Sequence, residues 1–330
     1  MRFAVRTYQA GDEQQILALF NRVFQQERTP AHWHWKFADN PAGHQIVVAV
    51  GEDGRIIGQF AGLPAAAVSP TGAFLLSQGI DHMVAAEAQK QGVFAAMTRH
   101  FVDTFLPPAR DVVFFSYPLA HKHSIDQRIS SAAELVQPVR ALRWDLARRE
   151  PWRTDAGTWR TGRDRVRRVQ RFPAGVDRFW ERTVAPGVGV SIVRDRRYLN
   201  WRYAACPDVP YALLLAESRI SGRSHGVAVL RFGWLAERIA PLCELLVPPD
   251  DRAVLALLLG ACHDLAREHG LASVVTWAPP ETTLYPALCE LGYAEEETPF
   301  LLTTIADANA QRAAACRARW SYTMGDSDIY

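Results

Sequence analysis

The sequence predicts an α/β protein with mixed sheets, built as two tandem domains. Three observations point there: strand-like apolar runs alternate with helix-period segments, that alternation occurs twice, and the composition suits a packed core. Of 330 residues, 48% are hydrophobic and 22% charged, which argues against disorder and gives length enough for two domains. The formal net charge of +2 argues against a protein built mainly to bind nucleic acid.

The repeat opens on WKFADNPAGHQIVVAV from Trp35 and on WRYAACPDVPYALLLAES from Trp201. Each stretch runs Trp, basic, aromatic, with Pro six positions after the Trp and then an apolar run that reads as a strand. A further strand follows in each, RIIGQFAGLPAAAV from Arg55 and SHGVAVLRFGW from Ser224. LLSQGIDHMV and APLCELLV then lead into long helices, GVFAAMTRHFVDTF and DRAVLALLLGACHDLAREHG, with apolar residues at helical spacing. A short strand closes each, DVVFFSY and ASVVTWA, followed by a further helix-like segment. The order α, β, β, β, α, β, α thus occurs twice, as a duplication would leave it.

The expected domains are residues 1–150, residues 151–305, and a tail, 306–330, whose aromatic residues imply packing against the body. The Arg-rich run RTGRDRVRRVQRF, Arg160 to Phe172, is assigned to the opening segment of the second domain as a solvated face. Cys206, Cys243, Cys262, Cys289 and Cys316 are scattered without a CxxC pair, so neither a zinc site nor a disulfide framework is expected. The N-terminus lacks the apolar core of a signal peptide, and the longest apolar run, AVLALLLGAC, is too short to span a membrane. A cytoplasmic protein, monomer or homodimer, with no metal and no membrane association, is the expectation.

The start of the first long helix carries the sharpest signal. Gln89-Lys90-Gln91-Gly92-Val93-Phe94 places no Ser or Asp cap at the helix start, where backbone N–H groups can hold an anion. In its strand-loop-helix setting this stretch resembles the Q/R-x-x-G-x-G/A signature of the GNAT superfamily, the GCN5-related N-acetyltransferases. Phe94 stands where that signature has Gly or Ala. The resemblance implies that Gln89 to Phe94 bind the diphosphate of acetyl-CoA or another acyl-CoA, and that the backbone of Met83 and Val84 meets the pantetheine. The second copy, PPDDRAVLALLL, has no glycine at its helix start, so it reads as a degenerate GNAT domain without a coenzyme loop. LYPALCELGY, Leu284 to Tyr293, resembles the closing helix-to-strand segment of the same fold.

Acyl transfer to an amine needs a deprotonated amine and a protonated leaving thiolate. Strand alternation puts Gln78, Ile80, His82 and Val84 on one face and Asp81 on the other. His82 is the first candidate for a base, since a histidine titrates near neutrality, although half-buried strand histidines are commonly structural. Asp81 is carried as a second candidate. The resemblance implies a tyrosine acid after DVVFFSY, in a Y-x-x-x-G-F-like stretch that this chain does not have. Tyr117 is the nearest substitute, with His121 and His123 close by, and Tyr117 reads equally as a core aromatic. Gln78, Trp33, His121 and Asp326 are candidates for contact with the acceptor.

The expected function is an N-acyltransferase that moves an acyl group from acyl-CoA to a primary amine of a small molecule, an amino sugar or a biosynthetic intermediate. The alternatives are an aminoacyl-tRNA-dependent transferase of the peptidoglycan-bridge type and a non-catalytic acyl-CoA-binding protein.

Overall fold

The computed structural model describes residues 2–107, 110–120, 133–148, 150, 159–233, 238–305 and 319–328. The chain divides into two compact units. The first takes Met1–Ala67, Thr71–Gln137 and Phe300–Arg317, and the second Val68–Pro70, Pro138–Pro299 and Ala318–Tyr330. The main division falls at Gln137/Pro138, where the sequence predicts a boundary at residue 150.

In the first unit, β1 (Phe3–Thr7) is followed by α1 (Glu13–Phe24) and by α2 (Pro30–Trp33), which widens into a π-helical turn over His34–Ala38. Then come β2 (Gln45–Gly51), β3 (Ile56–Ser69), β4 (Gly72–Val84), α3 (Val93–Phe105) and β5 (Val112–Ser116). The strands lie in the order β1-β2-β3-β4-β5, antiparallel from β1 to β3 and parallel between β4 and β5. The helices bury one stripe each, Ile16, Leu19 and Phe20 from α1 and Val93, Met97 and Phe101 from α3, together with Ile46 to Ala49 of β2.

The second unit is built on β6 (Ala133–Asp145), β7 (Asp164–Val169), α4 (Gly175–Phe179) with a π-helical turn at Trp180–Val184, and β8 (Ser191–Ile192). Next come α5 (Arg196–Leu199) with its π-helical turn at Asn200–Ala204, β9 (Tyr211–Ser218), β10 (Ser224–Arg231) and β11 (Ile239–Leu246). The remainder is α6 (Arg252–Glu268), β12 (Ser273–Trp277), α7 (Leu284–Leu291) and β13 (Ala294–Ile305). Its strand order is β6-β12-β11-β10-β9-β7, with β11 and β12 parallel. The last residues of β13 belong to the first unit and pair antiparallel with β5, Thr303 opposite Ser116.

The predicted repeat is present in detail. Thr29 accepts a hydrogen bond from His32 N at 3.1 Å to cap α2, and Asp195 does the same for Tyr198 N at 2.7 Å to cap α5. Both helices then open into the π-helical turn that carries Trp35-Lys36-Phe37 in one unit and Trp201-Arg202-Tyr203 in the other. Strands β2, β3, β4 and β5 correspond to β9, β10, β11 and β12, and α3 corresponds to α6. In the first copy the stretch expected to hold the last helix, 121–132, lies outside the described residues. The Arg-rich run proves to contain a strand, β7, in which Val166 is buried while Arg165 and Arg167 both pair with Glu217. Of the expected tail, 319–328 are described, with Trp320, Tyr322, Met324 and Asp326 buried.

Each unit buries a carboxyl group at the corresponding strand position. In the first, Asp81 of β4 receives both terminal nitrogens of Arg28, Nη2 at 3.1 Å, and Lys36 Nζ lies 3.4 Å away. Arg28 in turn sits 3.5 Å over the Phe20 ring. Burial alone would raise the Asp81 carboxyl, but Lys36 and Arg28 outweigh it and hold the group below the usual carboxylate range. In the second, Glu244 of β11 lies 3.4 Å from Arg194 Nε and 2.9 Å from the Tyr203 hydroxyl. Arg194 also donates to both oxygens of Asp326, at 2.5 and 2.7 Å. Burial raises the Glu244 carboxyl, and Asp326 adds to that shift against the pull of Arg194.

Removing the charge of Asp81 leaves Arg28 and Lys36 buried without their anion. Asp81→Asn should therefore cost about 3–5 kcal/mol in urea unfolding at neutral pH. A depressed carboxyl stabilises only while it is ionised and the unfolded one is too. The gap between wild type and variant should narrow as pH falls below about 4.

Candidate functional site

The site is built where β4 gives way to α3. The chain leaves β4 at Val84, anchored by the hydrogen bond of Ala85 N to Ile57 O at 2.8 Å, and makes a 3-10 turn over Ala86–Ala88. Gln89 is extended, and Lys90 and Gly92 are left-handed, at φ 60° and 81°. The Gln91 side chain donates to Glu87 O at 2.8 Å, so this loop carbonyl is tied back within the loop. Gly92 is the residue before the helix, and no side chain caps α3. The N–H groups of Val93, Phe94 and Ala95 have no carbonyl one turn earlier in the helix to receive them; the first such bond is Ala96 N to Gly92 O. A Cβ placed on Gly92 would meet nothing within 4 Å. Left-handed backbone is what calls for glycine here, and among the described residues nothing crowds its open side.

The corresponding helix of the second unit starts differently. Asp251 caps α6 with its own carboxylate, accepting from Val254 N at 3.0 Å. The stretch from Val247 to Asp251 is also shorter than that from Val84 to Gly92, and it contains Pro248 and Pro249. An anion arriving there would meet a carboxylate already in place. The start of α3 is thus left without a side-chain cap, and that of α6 is closed by a carboxylate.

Strands β4 and β5 pair in register from Leu75–Val112 to Gln78–Phe115, after which β4 runs on alone to Val84. Within that run Asp81 takes a left-handed φ of 49°, which interrupts the side-chain alternation. The predicted grouping of His82 with Gln78 and Ile80 is corrected by this bulge. A Cβ on Gly79 would lie 2.5 Å from the Phe114 ring and 3.1 Å from His82 Cε1, so His82 shares its side of the sheet with Gly79. Its ring stacks on Phe60 at 3.8 Å between centroids, runs parallel to Phe114 at 6.3 Å and meets Phe94 edge-on at 6.1 Å. His82 Nε2 lies 3.2 Å from Ala61 O. A carbonyl only accepts, so Nε2 carries a proton and, in the neutral ring, Nδ1 is the basic nitrogen.

The other expected site residues fall as follows. Met83 is buried in the core of the first unit and Val84 partly so. Tyr117 packs edge-on against Phe115 at 5.7 Å, while His82 runs parallel to Phe114; neighbouring positions of β5 put the two on opposite faces. Asp81 is engaged by Arg28 and Lys36 as described. Gln78 is buried, and Trp33 is enclosed by Tyr8, His34 and Phe37. Asp326 is held by Arg194 in the second unit. His121, like His123, lies outside the described residues. Sequence reasoning missed Arg28 and Lys36, although Lys36 is the basic residue of the repeated Trp-basic-aromatic motif. Phe60 and Phe114, which box His82, carried no signal. Among the described residues no group of three or more His, Cys, Asp or Glu could hold a metal ion, and no helix is long and apolar enough to cross a membrane.

Comparison with known proteins bears on the fold. The acetyltransferase (GNAT) domain family matches residues 4–114, from within β1 into β5. A probable N-acyltransferase of Enterococcus faecalis, described as a conserved protein of unknown function, is similar in structure at a TM-score of 0.67 and 12% identity, over 92% of this chain and 72% of that one. A tandem GNAT protein from the clavulanic acid biosynthesis pathway matches over 93% of this chain and all of its own length, 100%, at a TM-score of 0.59 and 15% identity. Saccharomyces cerevisiae N-myristoyltransferase with bound myristoyl-CoA matches at a TM-score of 0.61 and 9% identity, over 92% of this chain and 78% of that one. No curated protein sequence gives a significant match. The chain therefore has the fold of a tandem GNAT protein, with a recognisable GNAT domain in its N-terminal third.

The contrast between the two helix starts is measurable. Asp251→Ala removes the only side-chain cap seen on α6 and should cost about 0.5–2 kcal/mol in urea unfolding.

Proposed function

We propose that this protein is an acyl-CoA-dependent N-acyltransferase whose first unit binds the thioester and whose acceptor is a primary amine on a small molecule, an amino sugar or a biosynthetic intermediate being the first classes to test. The carrying observation is the start of α3, uncapped and left-handed at Gly92, set against α6, which is closed by Asp251. Acetyl-CoA or a longer acyl-CoA would supply the activated acyl group. Val93, Phe94 and Ala95 would hold its diphosphate through backbone N–H groups at the positive end of the helix, and Lys90 would add a charge. Met83 and Val84, on the part of β4 that runs on beyond β5, would align the pantetheine arm.

In this reading His82 takes the proton of the attacking amine at Nδ1. The bond from Nε2–H to Ala61 O fixes the tautomer, and the stack on Phe60 fixes the ring plane. Asp81, held as an anion between Arg28 and Lys36, acts by setting the bulge that aims His82. Tyr117, packed on Phe115 across the sheet from His82, is given no role in this reading. The tRNA-dependent alternative leans on the Arg-rich run, in which Arg165 and Arg167 are already paired with Glu217.

Acetyl-CoA at a hundredfold its dissociation constant should stabilise the unit that binds it by about 2.7 kcal/mol. A thermal melt should show that shift in wild type and not in folded Gly92→Glu; no shift in wild type refutes the reading. His82→Gln should keep the shift while thiol release with a reactive amine falls by about 10²–10⁴-fold. Unchanged turnover would remove His82 from the mechanism.

A further inference from the structure

The second unit carries a cavity that the proposed acyl transfer does not use. It has a volume of about 140 Å³ and lies where β11 and β12 part, since their parallel register ends at Pro241–Val275 and the lining takes in Leu245 to Val247 and Trp277 to Pro279. By the internal repeat this is the counterpart of the gap between β4 and β5. Its interior is formed by buried Trp180, Leu245, Leu255, Trp277 and Ala287, and exposed Pro249, Arg252 and Thr283 stand at its rim.

The charged groups that reach it are already committed, and so is the hydroxyl of Thr282. Arg194 donates to Ser191 Oγ, Ile192 O, Asp326 and Glu244. Asp251 caps α6, and Arg252 donates to Glu290 at 2.8 Å. Thr282 Oγ1 donates to Pro279 O at 2.7 Å. A charged ligand group would have to displace one of these partners or enter an apolar interior without one, and both are costly. An uncharged apolar group needs neither. An apolar cavity of about 150 Å³ is large enough for benzene.

We propose that this cavity is a binding site for an uncharged apolar group of about six heavy atoms, a single aromatic ring or a short alkyl chain, and that the second unit has kept the inter-strand gap of its fold while losing the diphosphate end. The site stands on the second unit alone and is independent of acyl transfer in the first.

Ligand-observed fluorine NMR on the full chain tests it, with fluorobenzene as the neutral probe and 4-fluorobenzoate and 4-fluorobenzylammonium as charged ones. The site predicts saturable fluorobenzene binding, competed by toluene, with both charged probes at least tenfold weaker. Ala287→Phe, which fills the interior, and Thr283→Trp, which obstructs the rim from an exposed position, should each weaken binding at least tenfold. If Ala287→Phe does not fold, the rim variant decides. Non-saturable binding, binding unchanged in the folded variants, or a charged probe equal to fluorobenzene overturns the proposal. An acetyl-CoA melt shift that is the same in wild type and Thr283→Trp, alongside lost fluorobenzene binding, separates this site from the one in the first unit.

Discussion

A carboxyl group buried on the strand ahead of each long helix is the constraint from which much of the structure follows. Isolated in an apolar interior, such a group would cost several kcal/mol, so the fold must deliver cations to it. Arg28 and Lys36 reach Asp81 from α2 and the segment before it, and Arg194 reaches Glu244 from the corresponding place in the second unit. In the first unit the π-helical turn supplies Lys36 to that need; the corresponding Arg202 of the second is buried too but bonds elsewhere. Duplicated chemistry at duplicated positions is a stronger sign of common origin than the repeated order of elements alone.

The two units then diverge in how they balance charge. The first sets two cations against one acid. The second brings Asp326 from the end of the chain to Arg194, so that two acids face that cation, and it anchors Arg202 on the carbonyls of Gly325 and Ser327. The helix starts diverge in the same direction: α3 is left without a side-chain cap, whereas α6 supplies a carboxylate of its own. One unit leaves its helix start without a side-chain cap. The other is closed there and open between its strands.

The sequence made much of this legible where the cause is local. Gly92 between strand and helix is a short-range signal, since left-handed backbone is cheap only for glycine. The Trp-basic-aromatic-Pro pattern was readable because each part acts on its own turn. The side on which His82 sits was not readable. It depends on left-handed Asp81, a conformation supported by Arg28 and Lys36, which lie 53 and 45 residues away in sequence. Phe94 looked like a departure from the motif, and its ring turns out to pack edge-on against Phe60 and His82. Strand β7 was hidden by its arginines, because the charge drew notice from the alternation that buries Val166.

The central claim is that one of two duplicated helix starts holds the coenzyme. Calorimetric titration of the full chain with acetyl-CoA tests it most directly through stoichiometry. The account predicts one site per chain in the wild type, lost in folded Gly92→Glu. Two sites in the wild-type chain, or none, would contradict it.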